Sequence, residues 1–399
     1  MARRNGGFIG TDGLDAPDPP TGVTVSGGSD GVASISFTAP TNEGTSSVTG
    51  FVATSSTGFG ATGTSSPISV SGLAIGTAAT FRAYAINAYG TSAASDATDS
   101  ITPAATRGVF GGGTLVGATR TDVMDYITVS TTSNATDFGD LSSETGGPAA
   151  VGSSTRGLFA GGSQASSPYV IDTIEYITIA TTGDVTDFGN LTDQLNQRGP
   201  ASNNIRGIWL GGRNPSASNI IDYVTIATTG NASDFGDALG AIENGIAGAA
   251  SNTRAVFAGG QDSGGNSDVI QYVTIDSTGN STDFGNLTQA KKEGGGVSSG
   301  TRAAFAGDDV SQANVIDYIT IASTGNASDF GDLTAGRSGV GAVSSTTRGV
   351  WGGGTISGTG AVNTMDYVTI ASTGNATDFG DRTESASQLT GCSNGHGGL

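Results

Sequence analysis

The sequence predicts an all-β chain in two parts, a small sandwich followed by a six-fold array of short-stranded units, and three observations predict it. The first is a period. The run Arg107-Gly-Val-Phe-Gly-Gly-Gly113, then Asp125-Tyr-Ile-Thr-Val129 and Asn134-Ala-Thr-Asp-Phe-Gly-Asp140, recurs along the chain. Its arginine returns as Arg156, Arg206, Arg254, Arg302 and Arg348, at spacings of 49, 50, 48, 48 and 46 residues. Its tyrosine returns as Tyr176, Tyr223, Tyr272, Tyr318 and Tyr367, each followed by Asp-Phe-Gly. A fixed period of this length marks a repeat architecture. The second observation is composition. Gly supplies 67 of 399 residues and charged residues only 13%, while Val, Ile, Tyr and Phe stand in short clusters bounded by Gly and Ser. Short strands with tight turns explain this better than disorder does. The third is the alternation of apolar and polar residues in the clusters before residue 103, as half-buried strands require.

Charge and rare residues bound the function. A net charge of −19 and a pI of about 4.1 repel nucleic acid and anionic lipid, so neither is an expected partner. Such an acidic, lysine-poor surface fits an extracellular or marine setting. One cysteine, Cys392, and one histidine, His396, exclude an intramolecular disulfide and a Cys- or His-cluster metal site. Cys392 reads as a small core residue. No apolar run reaches membrane-spanning length, so no membrane insertion is expected. The start, Met1-Ala-Arg-Arg-Asn-Gly-Gly-Phe-Ile-Gly10, has positive charge but no apolar core behind it, unlike a secretion signal. Release by lysis, inside a virus particle, is then a route out of the cell.

Residues 1–16 form a Gly-rich arm. Its reading is a tail or a docking peptide that buries Phe8 and Ile9 on a partner while Arg3 and Arg4 meet carboxylates. The segment Ala16-Pro-Asp-Pro-Pro20 opens the next region, residues 17–103, with expected strands at 22–25, 33–37, 50–54, 67–70 and 80–86. Pro-Pro-Thr-Gly-Val near its start, Ser36-Phe-Thr-Ala-Pro40, Ser71-Gly-Leu73 and Ala85-Ile-Asn-Ala-Tyr-Gly90 carry a resemblance to a fibronectin type III domain over nearly the whole region. The resemblance implies a spacer or adhesive module. Phe37 stands where that family usually has Trp, and Ala79 where it has a corner Tyr, so a less stable module is expected. No Arg-Gly-Asp is present.

Residues 104–399 hold the repeats. One unit reads Gly147-Pro-Ala-Ala-Val-Gly152, Arg156-Gly-Leu-Phe-Ala-Gly-Gly162, Glu175-Tyr-Ile-Thr-Ile-Ala180 and Val185-Thr-Asp-Phe-Gly-Asn-Leu191, four strands and so the content of one propeller blade. Six such units predict a six-bladed β-propeller. Its period and its paired glycines after the second strand resemble kelch repeats, although the Tyr-to-Phe spacing exceeds the kelch Tyr-to-Trp spacing. The first unit lacks its own first strand, and Ser387-Gln-Leu-Thr-Gly-Cys-Ser393 has that pattern without a blade of its own. The two are expected to pair, closing the ring and covering its edges.

The repeats offer little chemistry. Six Asp-Phe-Gly triplets without kinase partner motifs read as packing elements, Phe between blades and Gly for close backbone approach. The Asn of Thr-Gly-Asn (Asn134, Asn231, Asn280, Asn326, Asn375) reads as a hairpin residue rather than a glycosylation site. Each repeated arginine precedes a buried apolar pair, so it is expected to pair with a repeated aspartate, either that of Asp-Phe-Gly or that before Tyr. Evenly repeated carboxylates do not make a unique catalytic pair, and no enzyme activity or cofactor is expected. Calcium at the acidic loops 262–268 or Asp308-Asp309 stays an open alternative, though neither has EF-hand spacing.

Loop variation places the candidate ligand surface. Turns 1–2 and 3–4 of a four-stranded blade share one face, and these are nearly constant. Turn 2–3 and the link to the next blade share the other, and these vary; diversified loops on a rigid frame are where binding usually sits. The candidates are Gln164 and Tyr169, Arg213 and Asn214, Asp262 and Asn266, Lys291 and Lys292, and Asp308 and Asp309. Finally, the repeated Tyr-Val/Ile-Thr-Ile-Ala-Ser/Thr-Thr-Gly-Asn-Ala-Ser/Thr-Asp-Phe-Gly-Asp-Leu and the opening Ala-Arg-Arg-Asn-Gly-Gly-Phe-Ile-Gly resemble virion structural proteins of tailed phages of marine cyanobacteria. That resemblance implies a non-enzymatic particle component, a fibre-like appendage or decoration protein. Its arm would dock on other virion proteins and its loops would meet a host surface glycan or protein, with oligomeric assembly left open. A purely structural role and a polysaccharide hydrolase are the competing readings.

Overall fold

The structure is a computed structural model, and it describes residues 15–28, 30–308 and 313–398. The chain separates into two compact units, residues 1–105 and 106–399, and both are all-β. Among the described residues no helix is long and apolar enough to cross a membrane. The anchor candidates Arg3, Arg4, Phe8 and Ile9 lie outside the described residues, as does Asp309.

The first unit is two antiparallel sheets over one core. Thr21–Gly27, Ala33–Thr38 and Ile68–Val70 make a three-stranded sheet; Gly60–Gly63, Val48–Ser55, Phe81–Asn87 and Gly90–Thr91 make a four-stranded one in that order. Alternation sets which side chains enter the core: Ile35, Phe51, Ala53, Val70, Phe81 and Ala83 are buried. Phe37 packs on Phe51 at 4.9 Å between ring centroids. Ala79 is held by two backbone hydrogen bonds to Ile101, 2.8 and 3.0 Å. The short strands Gly60–Gly63 and Gly90–Thr91 have no hydrophobic signature and escaped the sequence reading.

Among the described residues the second unit holds six four-stranded antiparallel sheets. Sheet 2 is representative: Ala149–Gly152, Arg156–Ala160, Thr173–Thr178 and Thr186–Asn190 in spatial order. Sheet 1 takes its first strand from the far end of the chain, Thr390–Ser393 pairing antiparallel with Arg107–Gly111. Six apolar clusters follow, each shared by two successive sheets and the last by sheets 6 and 1. The phenylalanine of every Asp-Phe-Gly lies in them (Phe138, Phe188, Phe235, Phe284, Phe330, Phe379) and is at most 3% exposed.

Hydrogen bonds at three levels along the strand order tie each sheet to the next. Nearest the first strands, small polar side chains bridge neighbours: Gly152 N donates to Ser202 Oγ at 3.0 Å, Ser298 N to Ser344 Oγ at 3.3 Å, and Ser393 Oγ to Ser344 O at 2.6 Å. These strands approach so closely that only minimal side chains fit. A Cβ on Gly248 would lie 1.8 Å from Pro200 O. Further out, Arg107, Arg156, Arg206, Arg254, Arg302 and Arg348 donate to the carbonyls of Ile179, Ile226, Ile275, Ile321, Ile370 and Val129 on the following sheet, at 2.8–3.2 Å. The last of these runs from sheet 6 back to sheet 1, so the cycle closes. Outermost, the Thr-Gly-Asn turn of one sheet latches onto the fourth strand of the sheet before it. Gly279 N donates to Phe235 O at 2.7 Å, and Asn280 Oδ1 accepts from Asp237 N at 3.0 Å. There the glycine of Asp-Phe-Gly is needed for close approach, since a Cβ on Gly236 would sit 2.5 Å from the backbone of Gly279.

Candidate functional site

The repeated arginines are not paired with aspartate, which corrects the sequence expectation. Each guanidinium lies over the tyrosine of its own sheet, 4.2–4.9 Å from the ring centroid, as Arg107 over Tyr126 and Arg206 over Tyr223. The ring's other neighbour is the phenylalanine of Asp-Phe-Gly, edge-on at 5.6–6.1 Å. Strand parity is the cause. Arg107 stands opposite Thr128, so residues 128, 126 and 124 share its face and Asp125 projects to the other. The arginine ring is therefore an inter-sheet staple made of a cation–π contact and a carbonyl hydrogen bond.

The aspartate before tyrosine is buried, and it recruits a different cation. Asp125, Asp222, Asp317 and Asp366 are completely buried and pair with Arg382, Arg198, Lys291 and Arg337 respectively. Arg382, Lys291 and Arg337 stand 3.2, 2.7 and 3.0 Å from their carboxylates. Burial lowers the pKa of Arg198 and Arg337, opposed by the carboxylate each one faces. In sheet 4 the position is Gln271, whose Oε1 accepts from Leu239 N and Ser281 Oγ and needs no cation. In sheet 2 the position is Glu175, half-buried and accepting from Ser142 N at 3.4 Å; the four fully buried aspartates are the ones that face a cation, supplied from more than one sequence position.

Two candidate ligand residues stand in loops but are buried against this frame. Lys291 is 3% exposed and donates to Val315 O as well as pairing with Asp317. Asp308 is 2% exposed, its backbone N donating to Arg337 O. Burial removes both from any surface a ligand could reach. The signal was present in the sequence: Lys291 follows Phe284 by the same seven residues that separate Arg337 from Phe330, and recurrence at a fixed offset marks frame.

The remaining candidates lie on the variable face, with turns 2–3 and the inter-sheet links. Links and turns pair there, as Asn196 with Arg213 and Glu243 with Gln261. Tyr169 is 67% exposed. The Arg213 side chain is 51% exposed, 3.7 Å from Glu243, and Asn214 is exposed beside it. Gln164 donates to Ser143 Oγ at 2.5 Å, and Lys292 to Gln261 Oε1 at 3.1 Å. Asp262 is exposed but spends one oxygen on its own turn, accepting from Gly264 N at 2.7 Å, while Asn266 is half-buried in the short hairpin Gln261–Asp262 and Gly265–Asn266. Among the described residues no group of three or more acidic, His or Cys side chains is placed to hold a metal ion.

The centre of this face holds residues that the sequence did not single out. Gly147, Gln197, Gly245, Glu293, Gly339 and Gln388 form a cycle of backbone hydrogen bonds, nearly all made directly between neighbours, in which Gln197 N donates to Gly147 O and Gly147 N to Gln388 O. Gln197, Glu293 and Gln388 have positive φ of 55°, 57° and 51°, a conformation that costs non-glycine residues of order 1 kcal/mol or more and clusters at functional sites. Gln388 Nε2 donates to Glu293 Oε1 at 3.5 Å. They rim a cavity of about 120 Å³ lined behind them by the first strands. Amide and carboxylate groups around a narrow opening can exchange hydrogen bonds with hydroxyls. No protein-family profile matches the chain, and no curated protein matches it.

Proposed function

We propose that this chain is a non-enzymatic surface protein of a phage particle, a fibre-like appendage or decoration protein that presents a six-bladed, kelch-like β-propeller to a host surface glycan or protein. In this reading residues 17–103 are a fibronectin type III-like spacer, and residues 1–16 dock on other virion proteins. The observation that carries the functional part is the division of labour between faces. Arginine, tyrosine, the phenylalanine and glycine of Asp-Phe-Gly and the buried aspartates hold sheets together, whereas Tyr169, Arg213 and Asn214 are exposed in the variable turns. An exposed aromatic near hydrogen-bonding side chains suits a hydroxyl-rich ligand. A non-enzymatic role is supported by the neutralisation of Asp125, Asp222, Asp317 and Asp366 in buried pairs.

A purely structural role is the second reading, favoured by the burial of Lys291 and Asp308, which thins the ligand surface. Electron cryo-microscopy of intact particles tests the two. A receptor binder projects the variable face outward, and a structural part buries it against neighbours. Release of reducing ends from host polysaccharide would overturn the non-enzymatic reading.

A further inference from the structure

The segment following the closing strand, residues 394–398, reaches every sheet of the second unit. Asn394 brackets the start of sheet 1, its Oδ1 accepting from Arg107 N at 2.8 Å and its N donating to Arg107 O at 3.3 Å. Gly395 bridges in parallel to Ser345 of sheet 6. His396 Nε2 donates to Gly152 O of sheet 2 at 3.1 Å, while its Nδ1 accepts from Gly398 N at 3.1 Å. Gly397 N donates to Ser298 O of sheet 5 at 3.0 Å, and a Cβ there would lie 2.9 Å from Ala250 O of sheet 4. Gly398 O accepts from Asn204 N of sheet 3 at 3.0 Å. The fit admits no larger residues: a Cβ on Gly397 would stand 2.1 Å from Ser299 O, and one on Gly398 2.1 Å from Ser202 O.

We propose that residues 394–398 are an axial clasp, a built-in locking device that couples all six sheets at once and seals the axial cavity on the constant face. His396 lines that cavity, and the opposite end carries Gln197, Glu293 and Gln388. In this arrangement the cavity opens toward the variable loops. The clasp differs from the strand Thr390–Ser393, which pairs with Arg107–Gly111 as the first strand of sheet 1 and bonds sideways to the adjoining sheets 2 and 6. Loss of that strand opens one sheet, whereas loss of the clasp loosens the first strands of all six. Burial lowers the His396 pKa to about 4, so the ring is neutral at neutral pH, and with its one proton on Nε2 facing Gly152 O, Nδ1 is free to accept from Gly398 N.

The test compares the full chain with a chain ended after Ser393 and with Gly397→Ala, using native-state hydrogen exchange and unfolding rates in denaturant. The clasp predicts that both variants stay folded and monodisperse. Amides of Ala149–Gly152, Gly199–Ser202, Ala247–Ala250, Gly295–Ser298 and Gly341–Ser344 should all exchange faster, by roughly tenfold or more, with a matching rise in unfolding rate. Faster exchange confined to sheets 1 and 6, or unchanged rates in both variants, overturns it. Should the shortened chain fail to fold, Gly397→Ala decides alone.

Discussion

Replacing Arg198 with methionine should destabilise the second unit through one carboxylate. Asp222 and Arg198 are 0% and 1% exposed, and the guanidinium also donates to Trp209 O at 2.8 Å and Ile220 O at 3.2 Å. Thr192 Oγ1 donates to the same carboxylate. Methionine fills most of the volume but leaves Asp222 with that hydroxyl and no counter-ion. Removing one member of a buried pair costs about 3–5 kcal/mol, whereas replacing both by apolar groups is often close to neutral. For a unit of this size that corresponds to a fall in Tm of roughly 5–15 °C. Trp209 lies beside the pair, so the transition can be followed by tryptophan fluorescence. The double variant Arg198→Met/Asp222→Leu should recover most of the lost stability. A single variant within about 0.5 kcal/mol of the parent, or a double variant no better than the single, would refute the account of the buried pairs.

Other expectations follow from the same geometry. Arg254→Ala loses the bond to Ile321 O and the contact with Tyr272, and should cost about 2–3 kcal/mol in chemical denaturation without altering ligand binding. Ending the chain after Ser385 removes the partner of Arg107–Gly111 and exposes a strand edge, so the product should aggregate; a soluble, monodisperse truncation would defeat the closure. His396 contacts Gly152 O, Ser202 Oγ and Gly398 N, and its folded pKa of about 4 lies below the ordinary 6.5. Its contribution to stability is full above pH 6.5 and is lost as pH falls toward 4, by up to about 3 kcal/mol. His396→Gln should flatten that part of the stability–pH curve.

The repeat was legible because strands of this fold write themselves locally: Arg-Gly-Val-Phe and Tyr-Ile-Thr-Ile carry strand propensity, and Gly-Gly and Thr-Gly-Asn carry the turns. The pairing of Thr390–Ser393 with Arg107–Gly111 joins the surplus first-strand pattern to the sheet that lacks one. What the sequence hid depends on register and on long-range partners. Arginine seeks a carboxylate when charge alone is considered, but facing strands put Tyr126 within its reach and turn Asp125 away. Lys291 and Asp308 looked like ligand residues because their neighbourhood varies, although their own side chains are buried. Gln197 and Gln388 carried no signal at all, since the positive φ that places them is set by a backbone cycle spanning six sheets.

The most direct test of the central claim is binding of the purified protein to intact host cells, with Tyr169→Ala/Arg213→Ala compared against the parent and Arg254→Ala. The account predicts that the loop variant keeps its Tm and loses binding at least tenfold, while Arg254→Ala melts earlier yet binds like the parent at a temperature where both are folded. Loss of binding in Arg254→Ala under those conditions, with the loop variant unaffected, would return function to the arginine ring and contradict the assignment of the variable face.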